Sequence, residues 1–267
     1  MIKKKTIKTE IISNKKTAKD HYVMAVGTAY LAKNSRPGQF VNVKVREEGT
    51  DPLLRIPLGV HAIEKKGIKL LYKVVGQATE ILSKKRTGEA LDILGPLGNG
   101  FDLAPAKRKE KIIVVAGGHG AAPLYALTEA IIKKRGEVEF FTGACTGEHI
   151  VCVKELRKIG AKVHVATEDG SKGKKGYVTD ILREFLRKAK GEKGPEIIYS
   201  CGPRPMLREV AKCAKESNIP AQVSLDAYMA CGIGACLGCA IETVSGYKLV
   251  CKDGPVFSAE EIRWGKI

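Results

Sequence analysis

Four cysteines near the C-terminus, Cys231, Cys236, Cys239 and Cys251, are spaced C-x4-C-x2-C-x11-C. A zinc ion, a pair of disulfides or an iron–sulfur cluster could own them. Disulfides suit small secreted scaffolds, and the opening MIKKKTIKTE has no apolar run behind it to serve as a secretory signal. Zinc modules more often carry two C-x2-C knuckles, whereas here only Cys236 and Cys239 make one. C-x4-C-x2-C followed by a distant fourth cysteine is the plant-type [2Fe–2S] spacing. The glycines of "CGIGACLGC" let a loop wrap a cluster closely, with backbone N–H groups turned to its sulfides. A [2Fe–2S] cluster is the expected occupant, and structural zinc is the competitor. Cys145, Cys152, Cys201 and Cys213 are scattered and read as small buried hydrophobes.

A second chemistry sits in "VVAGGHGAAPLYAL", where Gly117, Gly118 and Gly120 lie between an apolar strand and a helix. Glycines there let the backbone approach a phosphate, and the helix N-terminus offers free N–H groups. The spacing is not a strict G-x-G-x-x-G, so a purely structural turn remains open. Cys201, Gly202 and Pro203 in "YSCGPRPM" follow another strand and open another helix. Both elements fall at the carboxyl rim of one sheet, where open α/β sheets bind ligands. Together they favour a nicotinamide nucleotide. His119 is within reach of a phosphate or ribose, but is read as a loop residue without a catalytic task.

Three regions must position these groups. Residues 1–102 read as all-β, with "HYVMAVGTAYL", "GQFVNVKV", "GVHAIEKKGIKLLYKVV" and "ALDILGPLG" broken by Pro, Gly and Lys pairs, which predicts an antiparallel barrel. The only helix expected there is the short "ATEILSKK". After the Pro- and charge-rich "APAKRKEK", strands alternate with helices. The strands are "KIIVVAGG", "EVEFFTGA", "KVHVATED" and "EIIYSCG"; the helices are "PLYALTEAIIKKRG", "IVCVKELRKIG", "VTDILREFLRKAKG" and "RPMLREVAKCAKES". This predicts a doubly wound parallel-sheet α/β domain over 103–220. Residues 221–267 form a small cysteine-bearing module. There are no internal repeats.

The 267 residues, 44% of them hydrophobic, suffice for two modest domains with a real core. The net charge of +17 is spread in pairs such as Lys15-Lys16, Lys65-Lys66 and Lys84-Lys85. Aromatics are 6% and do not interleave with a basic stripe, which argues against nucleic acid. No run approaches the roughly 18 apolar residues of a membrane span. A cytoplasmic protein with no membrane and no nucleic-acid partner is expected.

A barrel followed by a glycine-rich turn and C-G-P-x-P-M resembles the ferredoxin–NADP reductase superfamily, in which the barrel holds a flavin and the α/β domain NAD(P). More narrowly, "MACGIGACLGC…YKLVCKDGPVF", "RPGQFVNVKV", "LDILGPLGNGF" and "TEDGSKGKKGYVTD" resemble the electron-transfer subunits of NAD-linked (type B) dihydroorotate dehydrogenase. The resemblance covers essentially the whole chain. It implies FAD, a [2Fe–2S] cluster and NAD(H) as cofactors. It also implies an FMN-containing dihydroorotate dehydrogenase catalytic subunit as partner, in a heterotetramer with two of each subunit. Hydride would pass between stacked nicotinamide and flavin, and single electrons through the cluster, so no side-chain nucleophile is expected.

The flavin motif departs from that family. Where relatives show R-P-[IF]-S, this chain has Ile56-Pro57-Leu58-Gly59, with Arg55 one residue early and no hydroxyl at Gly59. One residue along a strand reverses the face, so Arg55 does not simply replace the lost arginine. The stretch "LYKVVGQAT" begins at Leu71; in it Tyr72, Gly76 and Thr79 keep the pattern, Lys73 stands where arginine is usual, and Ala78 replaces a glycine. The resemblance assigns these positions to FAD, in an altered pocket. The rival readings are a reductase serving another oxidoreductase, and a basic zinc-stabilised binding protein.

Overall fold

The computed structural model describes residues 4–46, 49, 51–106, 109–189 and 194–267. A closed barrel forms from β1 (Lys5–Ala18), β2 (His21–Val26), β3 (Phe40–Lys44), β4 (Ile56–Ile63), β5 (Ile68–Lys73) and β6 (Ala90–Leu97), in the order β1-β2-β5-β4-β3-β6. All neighbours are antiparallel. Strand alternation decides what faces outward. Leu58 and Val60 of β4 and Leu70 and Tyr72 of β5 fill the interior with Met24, Leu91 and Ile93. That leaves Pro57, Gly59 and His61, and Leu71 and Lys73, for the outer face.

Two helices accompany the barrel, α1 (Ala29–Asn34) and α2 (Gln77–Lys84). The second is the expected one. The first corrects the reading of "HYVMAVGTAYL" as extended throughout: the strand stops at Val26, and Thr28 caps α1 by accepting from the Leu31 N–H. Six residues are too few for a helical period to show.

The α/β region runs β7 (Lys111–Gly117), α3 (Ala121–Lys133), β8 (Glu137–Ala144), α4 (Val153–Lys158), β9 (Lys162–Thr167), β10 (Lys174–Lys175), α5 (Val178–Lys188), β11 (Ile197–Cys201), α6 (Arg204–Glu216) and β12 (Ala221–Ser224). Lys190 and Gly191, in the helix expected over "VTDILREFLRKAKG", and Lys107 and Arg108 of "APAKRKEK" lie outside the described residues. Beyond β12 come the cysteine loop, a hairpin of β13 (Ala240–Thr243) and β14 (Gly246–Leu249), and β15 (Val256–Ser258).

One seven-stranded sheet has the order β10-β9-β8-β7-β11-β12-β15, parallel except for β15. Its central strand is the uninterrupted apolar run. Ile113 and Val115 face a core shared with α5 and α6, while Ile112, Val114 and Ala116 face one shared with α3 and α4. From β7 the chain winds outward through β8 and β9, then crosses to β11 on the other side. This topological switch point opens a crevice between the loops after β7 and β11. The sheet continues past residue 220, because β12 pairs with β11 and β15 pairs with β12. The strands flanking the cysteine loop are thus welded into the α/β sheet.

Candidate functional site

The two glycine loops interlock at the switch point. A Cβ on Gly117 would lie 2.6 Å from Pro203 Cδ and 2.7 Å from Met206 Sδ, and one on Gly120 only 2.2 Å from the Cys201 carbonyl oxygen. These two glycines serve close packing of one loop on the other. Gly118 is different: its φ is +52° and its Cβ direction is open, so its backbone lines free space. Gly202 abuts Gly117, within 2.9 Å of its nitrogen at the Cβ position. Burial pushes the Cys201 thiol up to about 12, so it stays protonated and is no nucleophile at neutral pH.

A cleft of about 290 Å³ opens beside these loops. Its walls combine Gly117, Gly118, His119, Pro203 and Met206 with Gly143, Ala144 and Cys145 after β8, Tyr177 before α5, and His21 and Lys73 of the barrel. The cleft therefore spans both domains, as a site where two ring systems meet requires. The seam beneath it is tight. A Cβ on Gly59 would touch Pro123 Cβ at 3.4 Å, and His61 Nδ1 lies 2.8 Å from the Ala122 carbonyl. Sequence reasoning missed His21, which lines the cleft against His119, and His61, which holds α3 to β4 beneath it; neither carries a spacing signal.

The remaining barrel positions are placed as follows. Arg55 makes a two-pronged ion pair with Asp92 of β6, at 3.0 and 2.8 Å, so its guanidinium is already occupied. Leu58 and Tyr72 point into the barrel, and the Tyr72 hydroxyl donates to Asn14 Oδ1 at 2.9 Å. Only their backbone can face a ligand. Leu71 is buried, Pro57 and Lys73 are half-buried, and Lys73 lines the cleft. Gly76 precedes α2; the Thr79 hydroxyl accepts from the N–H groups of Val75 (2.9 Å) and Gly76 (3.2 Å), and Ala78 sits in the first turn. A Cβ on Gly76 would meet nothing, so the start of α2 is an open edge.

The cysteine loop wraps its own sulfurs. The N–H groups of Ile233, Ala235 and Cys236 donate to Cys231 Sγ at 3.5, 3.3 and 3.4 Å, and the Cys251 N–H donates to Cys239 Sγ at 3.4 Å. Burial pushes the Cys231 thiol up, but these N–H groups and the Cys236 thiol outweigh it and bring it down to about 6. Cys251 is pushed up to about 12 by burial and by neighbouring Cys239. The cysteines thus fall into two pairs, with the Cys236 N–H on Cys231 Sγ and the Cys251 N–H on Cys239 Sγ. Among the described residues, no three His, Cys, Asp or Glu side chains converge as they would on a single metal ion. Two thiol pairs, each suited to one iron of a two-iron rhomb, fit the [2Fe–2S] group better than a tetrahedral zinc. Gly232, with φ +67°, leaves room for Asn42 of β3, whose amide donates to the Cys231 carbonyl at 3.4 Å.

The loop is moored from both ends. The Asn99 N–H donates to the Gly254 carbonyl at 2.6 Å, its side-chain amide to Lys252 (3.2 Å) and Asp253 (2.9 Å), and the Leu225 N–H to the Pro255 carbonyl. The motifs "LGPLGNGF" and "CKDGPVF" are therefore two halves of one joint between barrel and cluster loop.

Known proteins match this architecture. Residues 226–263 match the iron–sulfur cluster binding domain of dihydroorotate dehydrogenase B, and residues 114–212 the oxidoreductase NAD-binding domain. The structure superimposes on the NADH-dependent reduced ferredoxin–NADP oxidoreductase, solved in a study of flavin-based electron bifurcation. The TM-score is 0.83 and the identity 32%, over 96% of this chain and 90% of that one. A ferredoxin–NADP+ reductase from Neisseria gonorrhoeae with bound FAD and NADP shares the fold alone, with a TM-score of 0.66 at 14% identity, covering 79% of this chain and 91% of that one.

The fold and the site thus define an oxidoreductase component of the ferredoxin–NADP reductase type, whose cofactors are NAD(H), FAD and a [2Fe–2S] cluster. The electron transfer subunit of dihydroorotate dehydrogenase B (NAD+) from Geobacillus sp. (strain WCH70) is 38% identical over 94% of this chain and 96% of the relative. That from Desulforamulus reducens is 36% identical over 97% and 99%. The chain belongs to this family of electron transfer subunits.

Proposed function

We propose that this chain passes electrons between NAD(H) and an FMN-containing subunit that interconverts dihydroorotate and orotate. The setting is pyrimidine (UMP) biosynthesis in the cytoplasm, in a complex with two of each subunit. The arrangement of the four thiols in two pairs, moored to both domains, carries this reading. Bound FAD would supply hydride exchange with nicotinamide and a bound cluster single-electron transfer, for which the chain provides the positions.

The residues of this chain bind and orient. Gly117, Gly118, Gly120, Cys201, Gly202 and Pro203 cradle the nicotinamide nucleotide with backbone at the switch point. Pro57, Leu58, Gly59, Leu71 and Tyr72 offer the flavin the outer face of β4 and β5, Lys73 meets its phosphates as a point charge, and Gly76, Ala78 and Thr79 offer the open start of α2. Arg55 braces β4 through Asp92 instead. Cys231, Cys236, Cys239 and Cys251 hold the cluster. Tyr228, Ile233 and Leu237, exposed at 98%, 44% and 64% in the cysteine segment, suit a docked partner that excludes water from the electron path.

Protein purified anaerobically is expected to show one FAD, two irons and two sulfides per chain, with a visible spectrum bleached by NADH. Zinc without colour would overturn this reading. The likeness to the ferredoxin–NADP oxidoreductase favours a second one, a reductase with a different oxidoreductase partner. NADH-dependent orotate reduction on adding the FMN subunit decides between them.

A further inference from the structure

At the seam between barrel and glycine loop, two histidines hold nitrogens without partners. His21, at the start of β2, is only 1% exposed. Its Nδ1 lies 2.6 Å from the Lys19 carbonyl oxygen. A carbonyl only accepts, so Nδ1 carries the hydrogen and Nε2 carries a lone pair. That Nε2 is buried and has no partner, and neither has Nδ1 of His119, whose ring centroid is 5.5 Å from that of His21.

Protonation does not resolve this. Burial holds His21 below the usual imidazole range, with Lys73 on β5 and His149 beyond β8 adding to it, against the Lys19 carbonyl and Asp20. Burial, then His21, His61 and Lys73, bring His119 down to about 4. Both rings are neutral at pH 7. A buried acceptor left bare is costly, and it persists where a ligand completes it.

We propose that His21 is a positioning residue whose Nε2 accepts a hydrogen bond from the amide-type N–H of a ring that enters the cleft between barrel and glycine loop. Within the functional reading above, on which this inference rests, two rings carry such a group: the nicotinamide carboxamide and the imide edge of the flavin. Both histidines line the cleft, and their orphaned nitrogens are sealed beneath its wall. The incoming ring therefore turns the His119 side chain aside as it arrives. An amide edge offers His21 the donor it lacks, and rejects a ring bearing a carboxylate there.

The test compares wild-type protein, His21→Phe and His21→Gln, the last keeping a polar ε atom. Calorimetry reads NAD+ against deamido-NAD+, which replaces the amide with a carboxylate, and fluorescence reads FAD release on dilution. If nicotinamide is the donor, His21→Phe lowers the preference for NAD+ over deamido-NAD+ about tenfold and His21→Gln restores it. If the flavin is the donor, that ratio holds while FAD retention falls about tenfold, again with rescue by glutamine. A merely structural role would weaken both dinucleotides alike and leave the ratio unmoved. The preference for NAD+ and the retention of FAD both unchanged in His21→Phe would overturn the proposal. Wild-type protein that binds neither FAD nor NAD+ would instead overturn the functional reading beneath it.

Discussion

The cysteine loop and the outer face of the barrel, each proposed above to hold one cofactor, are built in opposite ways. In the loop the backbone already curls around the sulfurs, with three N–H groups on Cys231 and one on Cys239. On the barrel, the aligned arginine is Ile56, Arg55 is spent on Asp92, Tyr72 points inward and Gly59 has no hydroxyl. A site made of ligating side chains and inward-turned backbone tolerates little substitution, because each element has one geometry. A site made of the outer face of paired strands and a helix start can lose individual side-chain contacts while the main chain keeps its shape. That difference explains how the family's flavin motif can erode here while its cysteine motif stands complete.

The largest effect tests the rigid half. Cys239 and Cys251 are 4% and 1% exposed and join a core with Ile241, Val250 and Phe257. Cys239→Ser and Cys251→Ser are expected to abolish bound iron and sulfide. Each should also lower Tm by about 5 °C, since a buried hydroxyl replaces a thiol. Cys236→Ser, at the surface, should lose iron with little change in the melting of the cluster-free protein. Equal melting for all three would erase the distinction between a buried and an exposed thiol pair.

Next comes the joint between the two glycine loops. Gly120→Ala places a Cβ 2.2 Å from a backbone oxygen, which no side-chain rotation relieves. A loss of about 3 kcal/mol in stability is expected, together with at least a tenfold loss of NAD+ affinity. Denaturant melts and calorimetry check both, and a variant as stable as wild type would refute the interlock.

The eroded half is tested by a pair of smaller changes. Lys73→Ala should weaken FAD retention about tenfold, because it removes the point charge of a phosphate contact. Arg55→Ala should leave FAD retention alone and cost about 1–2 kcal/mol of stability, since the ion pair it breaks is mostly buried and two-pronged. The reverse pattern, FAD lost with Arg55 and kept without Lys73, would put the arginine back in the flavin site.

The features legible in the sequence were those with local spacing. The cysteine pattern, the apolar run of β7 and the turn after β11 announce themselves within a dozen residues. The barrel and the doubly wound sheet follow from strand alternation and strand–helix order. What was hidden depends on contacts distant along the chain: β15 returning to the α/β sheet, Asn99 clasping the 252–254 turn, His21 meeting His119, and His61 meeting the Ala122 carbonyl. Nothing adjacent to His21 marks it, because its environment is made by the glycine loop of another domain, which brings His119 against it.

That docking leaves the smallest effect, a pH dependence. His21, His61 and His119 all have folded-state pKa values lowered, by burial first, with His119 at about 4. Their unfolded values lie near 6.5. Between those limits the unfolded chain takes up protons that the folded chain refuses, so the contribution of these histidines to stability falls as pH drops below about 6.5 and is constant above it. Carboxylates contribute only toward the acid end, so a difference between variants isolates the histidine. His119→Phe keeps a planar ring and removes the titration. Its melting temperature should fall less than that of wild type between pH 7.5 and 5, by about 2 °C. Parallel curves would mean that His119 titrates freely, as a loop residue in open solvent does, and the seam would then be looser than its packing against His21 implies.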